Sequence, residues 1–296
     1  MTLPSADTVV LFPDGAVVSD AVVLHVEPLA DGRVGVVLDR TPFHPVDLAW
    51  PDQGPDRGVL VAADEEWPVL DVLIGATRGE ELQVAQAMPV RPGAEGWTFV
   101  VVHVVPSDSE LTEGRAVRAV VDTDLRAALS AGHTACHLAS LALDRALAEA
   151  WTKPAPTDDL GAPAFDRLAI DSSVIRRFGS EDAYRVGKSL RKQGFDPASL
   201  EDLDGLAERV ERTLADWVAT GAAVRIERDD PGLTGRRTWV CELPEGTARI
   251  PCGGTHVGTL AELGPVTVRF RTEQQKGGIG LTMTTRVPTT LGGEGE

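Results

Sequence analysis

Four side chains in two short stretches are the ones equipped for chemistry. His133 and His137 stand in His133-Thr134-Ala135-Cys136-His137. On a helix, residues four apart share one face, so both imidazoles can reach one ion. Cys252 and His256 stand in Pro251-Cys252-Gly253-Gly254-Thr255-His256. Glycine opens backbone conformations closed to other residues, so a tight turn is expected to aim the thiol and the imidazole inward. Three nitrogens and one sulfur are a zinc set. Each pair has a plainer reading. Two histidines on a helix are often satisfied core or surface groups, and a turn can simply bury a cysteine, although that leaves His256 unexplained. The 114 residues between His137 and Cys252 exclude a zinc finger and imply a site built between folded elements.

The elements that must carry these residues follow from pattern. The early chain has short Val/Leu runs broken by turn residues: Thr8–Phe12, Ala16–Val26, Val34–Leu38, Val59–Ala62 and Phe99–Val105. Such spacing predicts a small β-barrel or sandwich over residues 1–110. From Asp122, with N-cap chemistry at Asp122-Thr123, an Ala/Leu-rich stretch predicts helix to about Trp151, and Gly132 is a possible break into two. Lys153–Pro163, with three prolines, reads as a loop. Ser180–Lys192 and Leu200–Thr220 are helix candidates, the second with Leu203, Leu206, Val210, Leu214 and Trp217 on one face. Strand signals return at Ala223–Ile226, Thr238–Glu242 and Val266–Phe270, and the tail from Thr289 is expected to fray. The expectation is an α+β chain: the β-barrel-like domain 1–110, then a metal-binding domain 111–296 of helices on an antiparallel sheet.

The pairing of His-Thr-x-x-His with Cys-Gly-Gly-Thr-His resembles the editing domain of alanyl-tRNA synthetase and its free-standing AlaX relatives. The editing domain of bacterial threonyl-tRNA synthetase has the same ligand pattern. Leu38-Asp39-Arg40-Thr41-Pro42-Phe43-His44-Pro45 is similar to the family's Thr-x-Phe-Tyr-Pro segment. Pro51-Asp52-Gln53-Gly54-Pro55-Asp56-Arg57-Gly58 is similar to its Gly-Gly-Gln-x-x-Asp-x-Gly segment, with Pro51-Asp52 replacing the paired glycines and His44 replacing tyrosine. The resemblance implies a zinc ion on His133, His137, Cys252 and His256, and hydrolysis of amino acids wrongly esterified to tRNA. It also implies an amino-acid pocket at Thr41 and Gln53. His44 could line that pocket; Asp56 could belong to it or cap its turn. Thr41 and Gln53 could equally be turn residues. The substrate so implied is Ser- or Gly-tRNA for alanine, or, given the altered pocket segment, a threonine-type or analogue aminoacyl-tRNA. A metal-dependent hydrolase of a small ester or amide, without tRNA, is the rival; a non-catalytic RNA-binding or scaffold protein with a structural zinc is another. A full synthetase's catalytic and anticodon domains do not fit in 296 residues, so aminoacylation is not expected.

Composition limits the partners. The net charge of −17 argues at face value against nucleic acid. Residues 1–110 carry 5 Lys+Arg and 18 Asp+Glu, a net of −13, and the remainder, with 23 and 27, a net of only −4. Within that remainder Arg176, Arg177, Arg185, Lys188, Arg191 and Lys192 face only Glu181 and Asp182, so this stretch is the candidate tRNA contact, against the plainer reading of a solvated face. Arg236-Arg237 and the group Arg269, Arg271, Lys276 are weaker candidates. Three cysteines make no disulfide framework; Cys136 reads as core and Cys241 as a strand cysteine. No apolar run reaches the roughly 18–20 residues of a membrane span, and no leader pattern opens the sequence, so a cytoplasmic protein is expected.

Overall fold

A computed structural model describes residues 3–29, 31–47, 50–79 and 81–289. The tail from residue 290 on, expected to fray, lies outside them. Two compact units divide the chain: Met1–Arg126 with Ile226–Thr238 and Pro251–Thr255, and Ala127–Arg225 with Trp239–Ile250 and His256–Glu296.

The first unit is built on β1 (Val9–Val10), β2 (Val18–Pro28), β3 (Val34–Leu38), β4 (Arg40–Thr41), β5 (Gly58–Ala62), β6 (Glu65–Val69), β7 (Asp71–Thr77), β8 (Leu82–Val84), β9 (Thr98–Val105) and β10 (Ala116–Val121). Eight of them form one antiparallel sheet in the order β6-β5-β10-β2-β3-β9-β7-β8. β10 shows why: Val117, Ala119 and Val121 are buried while Ala116 and Arg118 are exposed, the period-2 pattern of a strand with one wet face. β9 lies between β3 and β7 and is buried almost throughout, with Val101 and Val105 in the main core and Val100 and Val102 in a small cluster with Val37. The expected barrel is corrected here. β6 and β8 end the sheet and do not pair with each other among the described residues, so it stays open, and the three-residue β8 offers little edge with which to close it. The long β2 turns instead at a register shift between Val23 and His25.

The second unit centres on α1 (Thr123–Ala146). The Asp122 carboxylate accepts the Asp124 and Leu125 N–H groups at 3.1 and 3.0 Å, so the cap expected at this point forms. The helix does not break at Gly132. That glycine is a contact point: a Cβ there would come 2.4 Å from the Arg176 carbonyl and 2.6 Å from that of Gly179. Then follow α2 (Phe165–Ala169), β11 (Ile170–Arg176), β12 (Gly179–Gly187), α3 (Lys188–Lys192), α4 (Leu203–Ala219), β13 (Val224–Arg228), β14 (Arg237–Leu243), β15 (Gly246–Pro251), β16 (Thr267–Gln275) and β17 (Gly278–Arg286). The helix expected over Ser180–Lys192 is mostly strand. Ser180, Asp182, Tyr184 and Val186 are buried and Glu181 and Arg185 exposed, which is period 2; only Lys188–Lys192 coils. α4 fits its expectation: Leu206, Val210, Leu214 and Trp217 are buried on one face, and the Asp202 side chain caps its start. β11, β12, β17 and β16 form an antiparallel sheet in that order, and β13, β14 and β15 a second. No helix among the described residues is long and apolar enough to cross a membrane.

Candidate metal centre

One turn of α1 separates His133 and His137, whose ring centroids lie 4.8 Å apart. His256 comes in against both, at 4.4 and 5.0 Å. With Cys252, four residues earlier in the same turn, they form a group whose ligand atoms all lie within 4.8 Å of one another. The donor set and its surroundings fit a metal. His133 is fully buried, and the Nε2 atom of His137 is buried without a hydrogen-bond partner, a cost that an ion would relieve.

The turn that carries Cys252 and His256 is held by polar contacts from distant sequence. Gln53 donates through Nε2 to Thr255 Oγ1 at 2.9 Å and accepts the Thr255 N–H at 3.1 Å. Gln53 is therefore buried in the fold rather than solvated in its loop. Thr134, between the two helical histidines, accepts the Val257 N–H at 3.2 Å and lies 3.2 Å from His256 Nδ1. With Nδ1–H donating to Thr134, the Nε2 lone pair of His256 is the one left for a metal. The Gly254 N–H points at Cys252 Sγ, 3.4 Å away. Neither Gly253 nor Gly254 takes a positive φ, so the turn does not draw on glycine's dihedral freedom; at Gly253 what matters is space. A Cβ on Gly253 would sit 3.3 Å from the Asp47 carboxylate and 3.8 Å from Arg237.

Three contributors were not singled out from sequence as parts of this site. Thr134 lies inside the quoted motif, but spacing does not reveal which N–H a hydroxyl meets. Trp239 on β14 is fully buried with its ring 5.2 Å from that of His137. Arg237 reads as half of a surface pair, yet it is largely buried: it donates to the Leu233 carbonyl and lies 5.4 Å over the Phe12 ring. Burial pulls its guanidinium below the usual value, opposed by the charges of Asp47 and Cys252.

The remaining expected pocket residues are all buried. The Thr41 hydroxyl lies 2.7 Å from His103 Nε2 and accepts the Phe43 N–H at 3.1 Å. His103 donates from Nδ1 to the Val36 carbonyl, and burial lowers its pKa to about 4, so Nε2 of the neutral ring accepts a hydrogen bond from the Thr41 hydroxyl. His44 packs edge-on against Phe12, and its N–H donates to Asp56. Asp56 meets Arg126 in a two-point ion pair, and Arg126 also donates to the carbonyls of Ala16 and Pro42. Arg176, Arg177, Lys188, Arg191 and Lys192 are exposed, the first two at the β11–β12 turn and the others on α3. Cys136 and Cys241 are buried free thiols; Cys136 lies in the core as read from sequence, and Cys241 on β14, a strand as read.

Curated relatives then bear on the site. The chain is 32% identical over 237 residues to an alanine–tRNA ligase of Frankia alni, covering 79% of this chain and 22% of the relative. An alanine–tRNA ligase of Nocardioides matches at 29% over 253 residues, 85% of this chain and 24% of the relative. The chloroplastic/mitochondrial alanine–tRNA ligase of Arabidopsis thaliana matches at 29% over 233 residues, 78% and 20%. Its homologues are alanyl-tRNA synthetases. This alanyl-tRNA synthetase homologue spans about a fifth of the length of the curated relatives it matches, in keeping with one AlaX-like editing region. No family model matches the chain.

Proposed function

We propose that this chain is a zinc-dependent hydrolase that deacylates mischarged aminoacyl-tRNA in trans, with Ser- or Gly-tRNA for alanine as its substrate. The observation that carries the reading is the convergence of His133, His137, Cys252 and His256 in a homologue of alanyl-tRNA synthetases. These four would hold the metal. Zinc bound there would supply Lewis-acid chemistry at an ester or hold the substrate's amino group.

The chain's own side chains do the rest. Thr134 fixes the ring of His256, and Gln53 fixes the turn beneath Cys252 and His256. Trp239 walls His137 and keeps water from its buried face. In the reaction a water oxygen adds to the ester carbonyl carbon and the bond from that carbon to the ribose oxygen breaks. The ribose oxygen takes up a proton, and free amino acid and uncharged tRNA leave. Thr41 and His44 would shape the amino-acid pocket. Because the Thr41 hydroxyl is bonded to His103, Thr41 would select by bulk and position. Asp56 serves by holding the backbone of His44.

The test is ester loss from a panel of aminoacylated tRNAs, including Ser-, Gly- and Thr-charged species, with and without chelator. Chelator-sensitive loss well above the spontaneous rate for Ser- or Gly-tRNA is expected. Loss from no member, or full activity in metal-free protein, defeats the reading; loss from the Thr-charged species alone moves it to a threonine-type substrate.

A further inference from the structure

The sheet β11-β12-β17-β16 has two unlike faces. One is buried and largely apolar: Ile175, Tyr184, Val186, Leu281, Met283 and Val268 alternate onto it, together with the buried polar Ser180, Asp182 and Thr285. The register sets out the opposite face row by row. Arg176, Gly179, Arg286 and Thr267 lie side by side, then Val174, Glu181, Thr284 and Arg269, then Ser172, Ala183, Thr282 and Arg271, and then Arg185, Gly280 and Glu273. Five exposed arginines thus stand over a floor of glycine, alanine, serine and threonine with one half-buried valine, Val174, against two glutamates, in a chain whose net charge is −17.

The arginines are not spent inside the protein. Arg176, Arg269, Arg271 and Arg286 make no ion pair or side-chain hydrogen bond among the described residues. Arg185 and Arg191 donate to the carbonyls of Lys276 and Gly277, which brings α3 and the β16–β17 turn, with Lys188, Lys192 and Lys276, to one end of the same surface. At the other end the β11–β12 turn rests on Gly132, the residue before His133.

We infer that this open face docks the phosphate backbone of a double-stranded RNA stem. The inference rests on the tRNA reading of the site and names the surface that would hold the stem. Charge complementarity selects a polyanion. The absence of aromatics selects the duplex. Sheets that grip single strands do so by stacking bases on aromatic side chains, whereas here Tyr184 and Phe270 fall on the buried-face register and no aromatic lies on the arginine rows. The floor offers a protein partner one half-buried valine, Val174, and no larger apolar side chain to bury. Arginines with serine and threonine hydroxyls suit phosphates and 2′-hydroxyls, so binding is expected to ignore the base sequence of the stem.

The experiment measures binding of a labelled RNA hairpin stem and of a single strand of equal length, between about 50 and 200 mM salt. The parent chain should prefer the stem. Arg269→Ala with Arg271→Ala should weaken stem binding about tenfold or more and lower the salt slope by roughly 2. Arg269→Lys with Arg271→Lys should restore most of the affinity, since a phosphate contact needs charge. Preference for the single strand, competition by polyglutamate as strong as by RNA, or unchanged binding by the folded alanine variant overturns the inference. Deacylation is assayed on the same proteins. If the parent deacylates tRNA and the alanine variant does so with unchanged KM, the surface is wrong and the enzymatic reading stands. If the stem binds through these arginines but nothing is deacylated, the surface stands and the enzymatic reading falls.

Discussion

Thr134 sits between two histidines and touches the residue on either side of the Cys252–His256 turn's end, namely His256 and Val257. Its hydroxyl is an acceptor that a methyl group cannot imitate. Thr134→Val should lower zinc affinity about 10- to 100-fold, as loss of such outer partners does, while Thr134→Ser should stay near the parent; competition with a chelating dye measures both. His103 gives a second prediction at this scale. Burial holds its folded pKa at about 4, against about 6.5 in the unfolded chain. The unfolded state therefore takes up the proton first. This residue's contribution is complete above about 6.5 and is lost as pH falls through about 4. Urea unfolding across that window should show the decline, and His103→Gln should flatten it. The four candidate ligands were legible because type and spacing name them directly. Arg237 was not, because the ring it lies over, Phe12, and the charge that acts on it, Asp47, are far away in sequence.

Among elements, α1 does most of the positioning. Glycine inside a helix ordinarily costs about 1 kcal/mol relative to alanine. Gly132→Ala should nevertheless destabilise the protein, by about 1–3 kcal/mol, because the new methyl meets the Arg176 and Gly179 carbonyls of the β11–β12 turn; denaturant midpoints check the sign. The start of the helix is tied down by Arg126 and its buried partner Asp56. Asp56→Asn strands a buried guanidinium and should cost about 3–5 kcal/mol, whereas Asp56→Leu combined with Arg126→Met should recover much of the loss by the same measurement. The helical faces were legible: α4 buries the stripe its spacing predicts, apart from the half-buried Leu203. The β12 strand was not legible because two of its buried alternating positions, Ser180 and Asp182, are polar, so the period-2 apolar signal is missing from half of it. β17 gave little signal, since its glycines and threonines form a floor rather than a core.

At the scale of the molecule, charge and metal both act on the whole fold. The surplus acidity resides in the first 110 residues, and the open arginine face belongs to β11, β12, β16 and β17. Total charge therefore says little about what each surface attracts. A ligand that binds only the folded chain stabilises it, by about 2.7 kcal/mol at a hundredfold excess over Kd. Added zinc should thus raise the melting temperature of chelator-treated protein, and Cys252→Ala should blunt the rise. Open strand order was the part of the architecture least available from sequence, because closure depends on whether β6 and β8 meet and no local pattern encodes that. The hydrogen bonds of Gln53 and Thr134 on the Cys252–His256 turn involve no ion. Because these bonds are made by the protein's own groups, the turn is expected to keep its shape when the metal is withdrawn, unlike a zinc finger, whose fold waits for its metal. Chelation should lower the melting temperature and leave the circular dichroism spectrum intact. Cobalt could then be exchanged into the standing apoprotein, turning a colourless centre into one whose visible absorption counts its ligands.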